Sequence, residues 1–302
     1  MIESWFGFKR PTAKFLYAWA IANVVANVVL VVTGGAVRVT DSGLGCPTWP
    51  QCTAGSLTPH AAMGIHGVIE FGNRMLTWVL VIVAVGTWLA AMRRRPVDRT
   101  SRRLATAVAM GVPLQAVIGG ITVLTNLNPW IVAFHFLSTM VIISLATWLA
   151  VHTRPGVRAT PLDDSQPKVM RRFAVMLSWA IYALTWVVIY LGTVVTGSGP
   201  HAGDIKAHRN GLEPTQATQL HVDAVWTLVG LTVALILLTV AAVSSMRRAA
   251  AVFGGVILVQ GVIGYVQYAT NLPEVLVILH MFGSALLMIG ATLLVLSTRR
   301  ED

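Results

Sequence analysis

Eight apolar stretches, each long enough to cross a bilayer, leave this 302-residue chain little choice of fold. They lie near residues 14–34, 61–92, 104–124, 130–151, 172–197, 215–245, 249–269 and 274–297. A spanning helix needs about 20 residues, and a backbone in lipid has to satisfy its own polar groups, so all eight are predicted to be helices. Charged residues are 11% of the chain, against about 25% in soluble domains, and mean hydropathy is +0.71. The predicted fold is all-α: a polytopic membrane protein of eight transmembrane helices in two pseudo-symmetric four-helix bundles, with no soluble domain outside them. The first apolar run lacks a small-residue cleavage site and reads as a retained span rather than a signal peptide.

The net charge of +10 is topology rather than a nucleic-acid surface. Of 22 Lys and Arg, 18 fall in five places: Lys9, Arg10 and Lys14; residues 93–103; residues 154–172; Arg247 and Arg248; Arg299 and Arg300. These are the two termini and every second loop, the positive-inside pattern of a multi-pass protein of the cell (plasma) membrane with both ends cytoplasmic. No nucleic acid is expected as a partner; the surrounding partner is membrane lipid.

The chain also repeats itself. Residues 115–135, QAVIGGITVLTNLNPWIVAFH, align without a gap with 260–280, QGVIGYVQYATNLPEVLVILH, with nine identities in 21 positions. Each copy is an apolar run, a Thr-Asn-Leu break beside a proline, and a second run carrying one histidine, His135 or His280. A T-x-S-G turn at 40–43 recurs at 196–199. The expected organisation is an N-terminal half over 1–152, a cytoplasmic linker over 153–171 and a C-terminal half over 172–302. Four spans per half is an even number, so the halves enter the membrane in the same direction, about an axis along its normal.

The second, fourth, sixth and eighth spans run inward from the outer face, and each has polar groups near its start: His66, Glu70, Asn73 and Arg74 on the second, then His135, His221 and His280. A histidine inside a membrane helix is costly and by default marks a site; the plain alternative is a neutral imidazole bonded to a neighbouring helix. Three at matched depth, two of them inside a sequence repeat, point to ligands. Two imidazoles on facing helices of a bundle can hold a haem iron, whereas zinc would ask for a compact cluster that the spacing does not offer. His221 and His280 are therefore expected to form a bis-histidine haem site in the second half.

In the first half His135 is one expected ligand, and two readings of the other stand. Pro59 precedes His66 by the seven residues that separate Pro214 from His221, which favours His66. Counting back from the copied glutamine places the partner between His66 and Asn73. Glu70 and Arg74, one turn apart, can pair with each other. A carboxylate in lipid is costly enough to suggest function as well, in moving a proton or stabilising positive charge on a substrate carbon. Cys46 and Cys52, the only cysteines, share one short outer loop, CPTWPQC, in an oxidising compartment, and a disulfide is expected. The second half has no counterpart, so the first half is expected to carry the reaction.

GGAVRVTDSGLGCPTWPQC, IEFGNRMLT and the doubled Q-x-V-I-G…T-N-L…H resemble the haem A synthase family over almost the whole chain. The resemblance implies haem b held between His221 and His280. It also implies haem O as substrate in the first half, with a ring methyl oxidised to a formyl group to give haem A for terminal oxidases. Glu70 matches the catalytic glutamate of the family motif Glu-Tyr-x-His-Arg, His135 matches the first-half ligand, and Cys46 and Cys52 match the loop pair at slightly different spacing. Haem O synthase and terminal oxidase assembly factors are the implied protein partners. Asn73 stands where the motif has histidine. Either His66 takes over from higher on the helix, or His135 alone holds a substrate that must leave. Two other functions compete: a di-haem b-type electron carrier, and a repeat-built transporter, which the outer-layer depth of the polar groups disfavours.

Overall fold

A computed structural model describes residue 8 and residues 10–156 and 167–298. Eight α-helices run α1 (Ala13–Val39), α2 (Gly64–Arg93), α3 (Arg99–Leu124), α4 (Pro129–Thr153), α5 (Lys168–Ser198), α6 (Pro214–Ala241), α7 (Arg247–Ala269) and α8 (Glu274–Ser297). With a short 3₁₀ turn at Ala61–Met63 leading into α2, all eight are long and apolar enough to cross a membrane. The protein is an all-α, multi-pass membrane protein. The sixth span ends at Ala241 rather than 245, because the chain turns through a 3₁₀ segment at Ser244–Met246 before α7. Of the linker expected at 153–171, residues 157–166 lie outside the described residues.

Helix starts follow the local chemistry. Thr12, Asp98, Asn128 and Glu213 each accept a backbone N–H of the first turn through a side-chain oxygen, and Pro129 and Pro214 occupy first positions that need no donor. Burial disfavours ionised Asp98, but hydrogen bonds from Ser101 and the neighbouring His152 outweigh it and hold this carboxyl below its usual range.

The chain separates into two compact units, one of Met1–Pro155 with Thr196–Gly211, the other of Gly156–Val195 with Leu212–Asp302. In the first, α1 to α4 close a four-helix ring, each packing on the next and α4 returning to α1. Its apolar core lies toward the helix ends away from the 40–63 loop, around Leu16, Ala90, Leu104 and Leu149. The segment after α5 belongs to this unit: the Gly43 amide donates to the Gly203 carbonyl at 2.7 Å, and Leu127 packs with Ala202 and Ala207. The second unit is built around Ile181, Leu228, Leu235, Phe253 and Leu294, contributed by α5 to α8. The buried residues of α8 begin at Gly283.

The repeated Thr-Asn-Leu is a turn. Asn126 and Leu127 have φ of 51° and 58°, and Asn271 and Leu272 have 60° and 59°. Asparagine tolerates this left-handed region and leucine does so rarely. Closure fixes both pairs: the Leu127 amide donates to the Thr122 carbonyl at 2.8 Å, and Leu272 to Gln267 at 2.7 Å.

Candidate functional site

In the first unit Arg74 and the Cys46–Cys52 loop converge on one carboxylate. Glu70 lies on the inner face of α2, 5% exposed. One turn on, Arg74 donates to it from Nε at 3.1 Å and pairs with it through Nη2. The same guanidinium reaches the loop beyond α1, donating to the carbonyls of Cys46 at 2.8 Å, Thr48 at 3.1 Å and Gln51 at 3.2 Å. The amide of Cys46 donates back to the other Glu70 oxygen. Cys46 and Cys52 are joined by a disulfide, both fully buried. One ion pair thus pins the disulfide loop to α2, and the loop covers the carboxylate.

Two glycines make the close approach possible. A Cβ on Gly45 would stand 2.3 Å from the His66 carbonyl oxygen, and one on Gly120 of α3 would fall 2.4 Å from the ring of Trp49. Any side chain at either position would lift the loop.

His135, the seventh residue of α4, packs its ring edge against Gly119, where a Cβ would lie 3.3 Å from Cε1. Gln115 donates from Nε2 to the His135 carbonyl at 3.3 Å and to Thr139 at 3.0 Å, and His135 Nδ1 is buried with no hydrogen-bond partner among the described residues. His66 and Asn73 stand apart from it. His66 is exposed and shares a hydrogen bond of 3.0 Å between Nδ1 and Ser42, three residues beyond α1. Asn73 accepts from Thr33, six residues inside α1, at 2.8 Å. Asn73 therefore lies about 9 Å deeper than the helix end, at 1.5 Å per residue, the depth at which His135 sits on α4. His66 lies at the mouth.

In the second unit His221 and His280 face each other, ring centroids 6.5 Å apart and planes at 73°. The Val188 carbonyl lies 3.1 Å from His221 Nδ1. That acceptor requires the N–H on Nδ1 and leaves the lone pair on Nε2, as for a ligating histidine. Each ring again rests on a glycine: Gly192 under His221 and Gly264 under His280, with Cβ positions 3.3 Å and 3.4 Å from Cε1. Gln260 donates to the His280 carbonyl at 2.9 Å, as Gln115 does to His135. Two imidazoles bonded to one first-row metal at roughly 2.0–2.1 Å have centroids roughly 6.3 Å apart, so the observed pair fits a single iron between its rings. Among the described residues no group of three or more His, Cys, Asp or Glu is placed to hold a bare metal ion.

Several of these partners are not singled out by sequence reasoning. The repeat held the signal for some: Gln115 with Gln260 and Gly119 with Gly264 are among its nine identities, each pair serving a copied histidine. Ser42 falls in the repeated T-x-S-G turn, whereas Thr33 and the carbonyls under Arg74 carry no such mark.

A family model described as cytochrome oxidase assembly protein, COX15-CtaA, matches residues 17–292. Curated relatives named "Heme A synthase" include one from Symbiobacterium thermophilum, 31% identical over 192 residues, covering 62% of this chain and 60% of the relative. Another from Lysinibacillus sphaericus is 29% identical, covering 60% and 58%, and one from Listeria welshimeri is 27% identical, covering 60% and 59%. The chain spans about 60% of the length of the curated relatives it matches.

Proposed function

The chain belongs to the COX15-CtaA family of cytochrome oxidase assembly proteins, and on that premise we propose that it is a membrane oxidoreductase converting haem O to haem A. The observation that carries this reading is the facing pair His221 and His280, with its glycine and glutamine supports repeated around His135. In the proposal the second unit holds haem b between His221 and His280, and the first receives haem O on His135. When bound, haem b would supply one-electron chemistry; the formyl oxygen and the final electron acceptor come from outside the chain, whose own groups bind, orient and handle protons. The Nδ1–H of His221, fixed on Val188, presents Nε2 to the metal. Glu70, held by Arg74 and the Cys46 amide, can take a proton or face developing positive charge. The disulfide loop lies over it.

His135 is taken as the sole histidine ligand of the substrate. His66 is engaged with Ser42 at the mouth, while Asn73, at the depth of His135, is a carboxamide bonded to Thr33. One axial bond suits a molecule that has to leave. A permanent di-haem carrier is the second reading, and the Glu70–Arg74–Cys46 clamp, confined to the first unit, speaks against it. Pigment extraction from the purified protein is expected to yield haem b together with haem O and haem A. His135→Ala should keep haem b and lose the other two, and His66→Ala should keep all three. Two equivalents of haem b with neither O nor A would establish the carrier instead.

Placement in the cell membrane with cytoplasmic termini is supported by the basic residues at alternate connections. Reporter fusions at Arg99 and Gly203 are expected to report opposite sides, with Arg99 cytoplasmic. The same side for both would overturn this orientation.

A further inference from the structure

Two guanidinium groups meet on the loop after α5 with no ion-pair partner among the described residues. Arg38, in the last turn of α1, donates from Nε to the His201 carbonyl at 2.6 Å. Arg209 donates from Nη2 to the carbonyl of the preceding residue, Pro200, at 2.9 Å, and from Nη1 to Ala207 at 2.8 Å. Like charges are thus fixed on consecutive carbonyls, close enough to repel. The ion pairs among the described residues are Glu70–Arg74, Arg94–Asp98 and His152–Asp98, and none includes either group. Asp204, on the same loop, accepts the Lys206 amide and lies near enough to Glu70 to repel it.

The terminal nitrogens of Arg38 donate to no described residue, and neither is sealed from contact. Besides the hydrogen bonds from the two arginines, the loop has anchors of its own in the Gly43–Gly203 hydrogen bond and the Leu127 packing. Holding two cations together in a partly buried place is unfavourable unless an anion joins them. Guanidinium forks match carboxylates in shape as well as in charge. His135 stands on the seventh residue of α4, roughly 9 Å below the helix end, and Arg38 lies at the corresponding end of α1. An amphipathic ligand with a metal on one imidazole and acidic groups at its edge spans that layout.

We propose that Arg38 and Arg209 form a carboxylate-binding site that receives the two propionate groups of the tetrapyrrole bound in the first unit. The proposal rests on the reading of that unit as the haem O site. It sets the direction in which the substrate is inserted, acidic edge toward the loop, and so decides which ring substituents are presented to Glu70.

The test titrates haem O, and its dimethyl ester lacking both carboxylate charges, into the purified protein, followed optically. Charge-assisted hydrogen bonds of this kind are worth about ten- to a hundredfold in affinity, so the wild type should prefer the free acid by that factor. Arg38→Met and Arg209→Met should each lower the ratio, and the double variant should bring it close to one, with the ester's affinity falling less than that of the acid. Arg38→Lys should keep part of it. The spectrum of the haem held by the second unit reports that each variant is folded. A preference that survives both Met substitutions overturns the proposal. So does a wild type that binds acid and ester equally, including the case in which an anionic phospholipid co-purifies with it and is lost from the variants; the pair then serves a lipid phosphate. A wild type that takes up no haem O in the first unit defeats the functional reading itself, and the site with it, before any variant is made.

Discussion

Glu70→Gln is expected to stop conversion at haem O or a partly oxidised form, with haem b and bound haem O retained. The substitution keeps the shape of the side chain and one oxygen that can still accept from Arg74 or from the Cys46 amide, which Glu70 receives on separate oxygens. It removes the negative charge and the ability to exchange a proton, functions worth roughly 10²–10⁴ in rate. Chromatography of extracted haems from cells carrying the variant should show haem A lowered by that order. Wild-type haem A output would remove Glu70 from the chemistry. Glu70→Ala is a poorer test. Breaking a buried pair by taking away one partner costs about 3–5 kcal/mol, and Arg74 would then be left charged among the carbonyls of Cys46, Thr48 and Gln51, so loss of activity could reflect a displaced loop.

That arrangement shows where the sequence was informative. Eight helices followed from the requirement that a backbone in lipid bond to itself, and their positions from apolar length alone. The repeat located the residues that act twice, because an identity kept at equal spacing in two helix pairs has a shared geometric cause. Gln115 and Gln260 hold a histidine carbonyl, Gly119 and Gly264 admit an imidazole, and Asn126 and Asn271 enter a left-handed turn. What could not be read lies where the chain returns from far away. Arg38 meets His201 across 163 residues, and Gly43 meets Gly203; neither pair has a periodic or repeated signature. The Glu70–Arg74 pairing was legible as an i,i+4 contact. Its reach to the disulfide loop was not, because backbone carbonyls are present at every residue and single out none. The proline spacing pointed to His66, which is bonded to Ser42 beyond the end of α1, and the motif position is Asn73, bonded to Thr33 within it.

His221→Ala or His280→Ala is expected to strip haem b, lowering its retention through purification by more than about a hundredfold. The facing rings are 6.5 Å apart, so in the proposed site each would supply one of two bonds to the same iron. Loss of either should exceed the 10–100-fold typical of a change to the partners that merely orient a ligand. The low-spin bis-histidine spectrum should vanish with it, and melting temperature should fall, since a ligand that binds only the folded protein stabilises it by mass action. Gly264 separates the role of the imidazole from that of the packing around it. A Cβ there would rest 3.4 Å from His280 Cε1, so Gly264→Ala should be tolerated with the spectrum nearly intact. Gly264→Leu has no room beside the ring and should push His280 off axis, giving a five-coordinate spectrum in a protein whose histidines are all present. A wild-type reduced spectrum in both alanine variants would show that these histidines are not the ligands. The same spectrum in Gly264→Leu, with His280→Ala stripped, would place the ligand correctly and deny the glycine its part in aiming it.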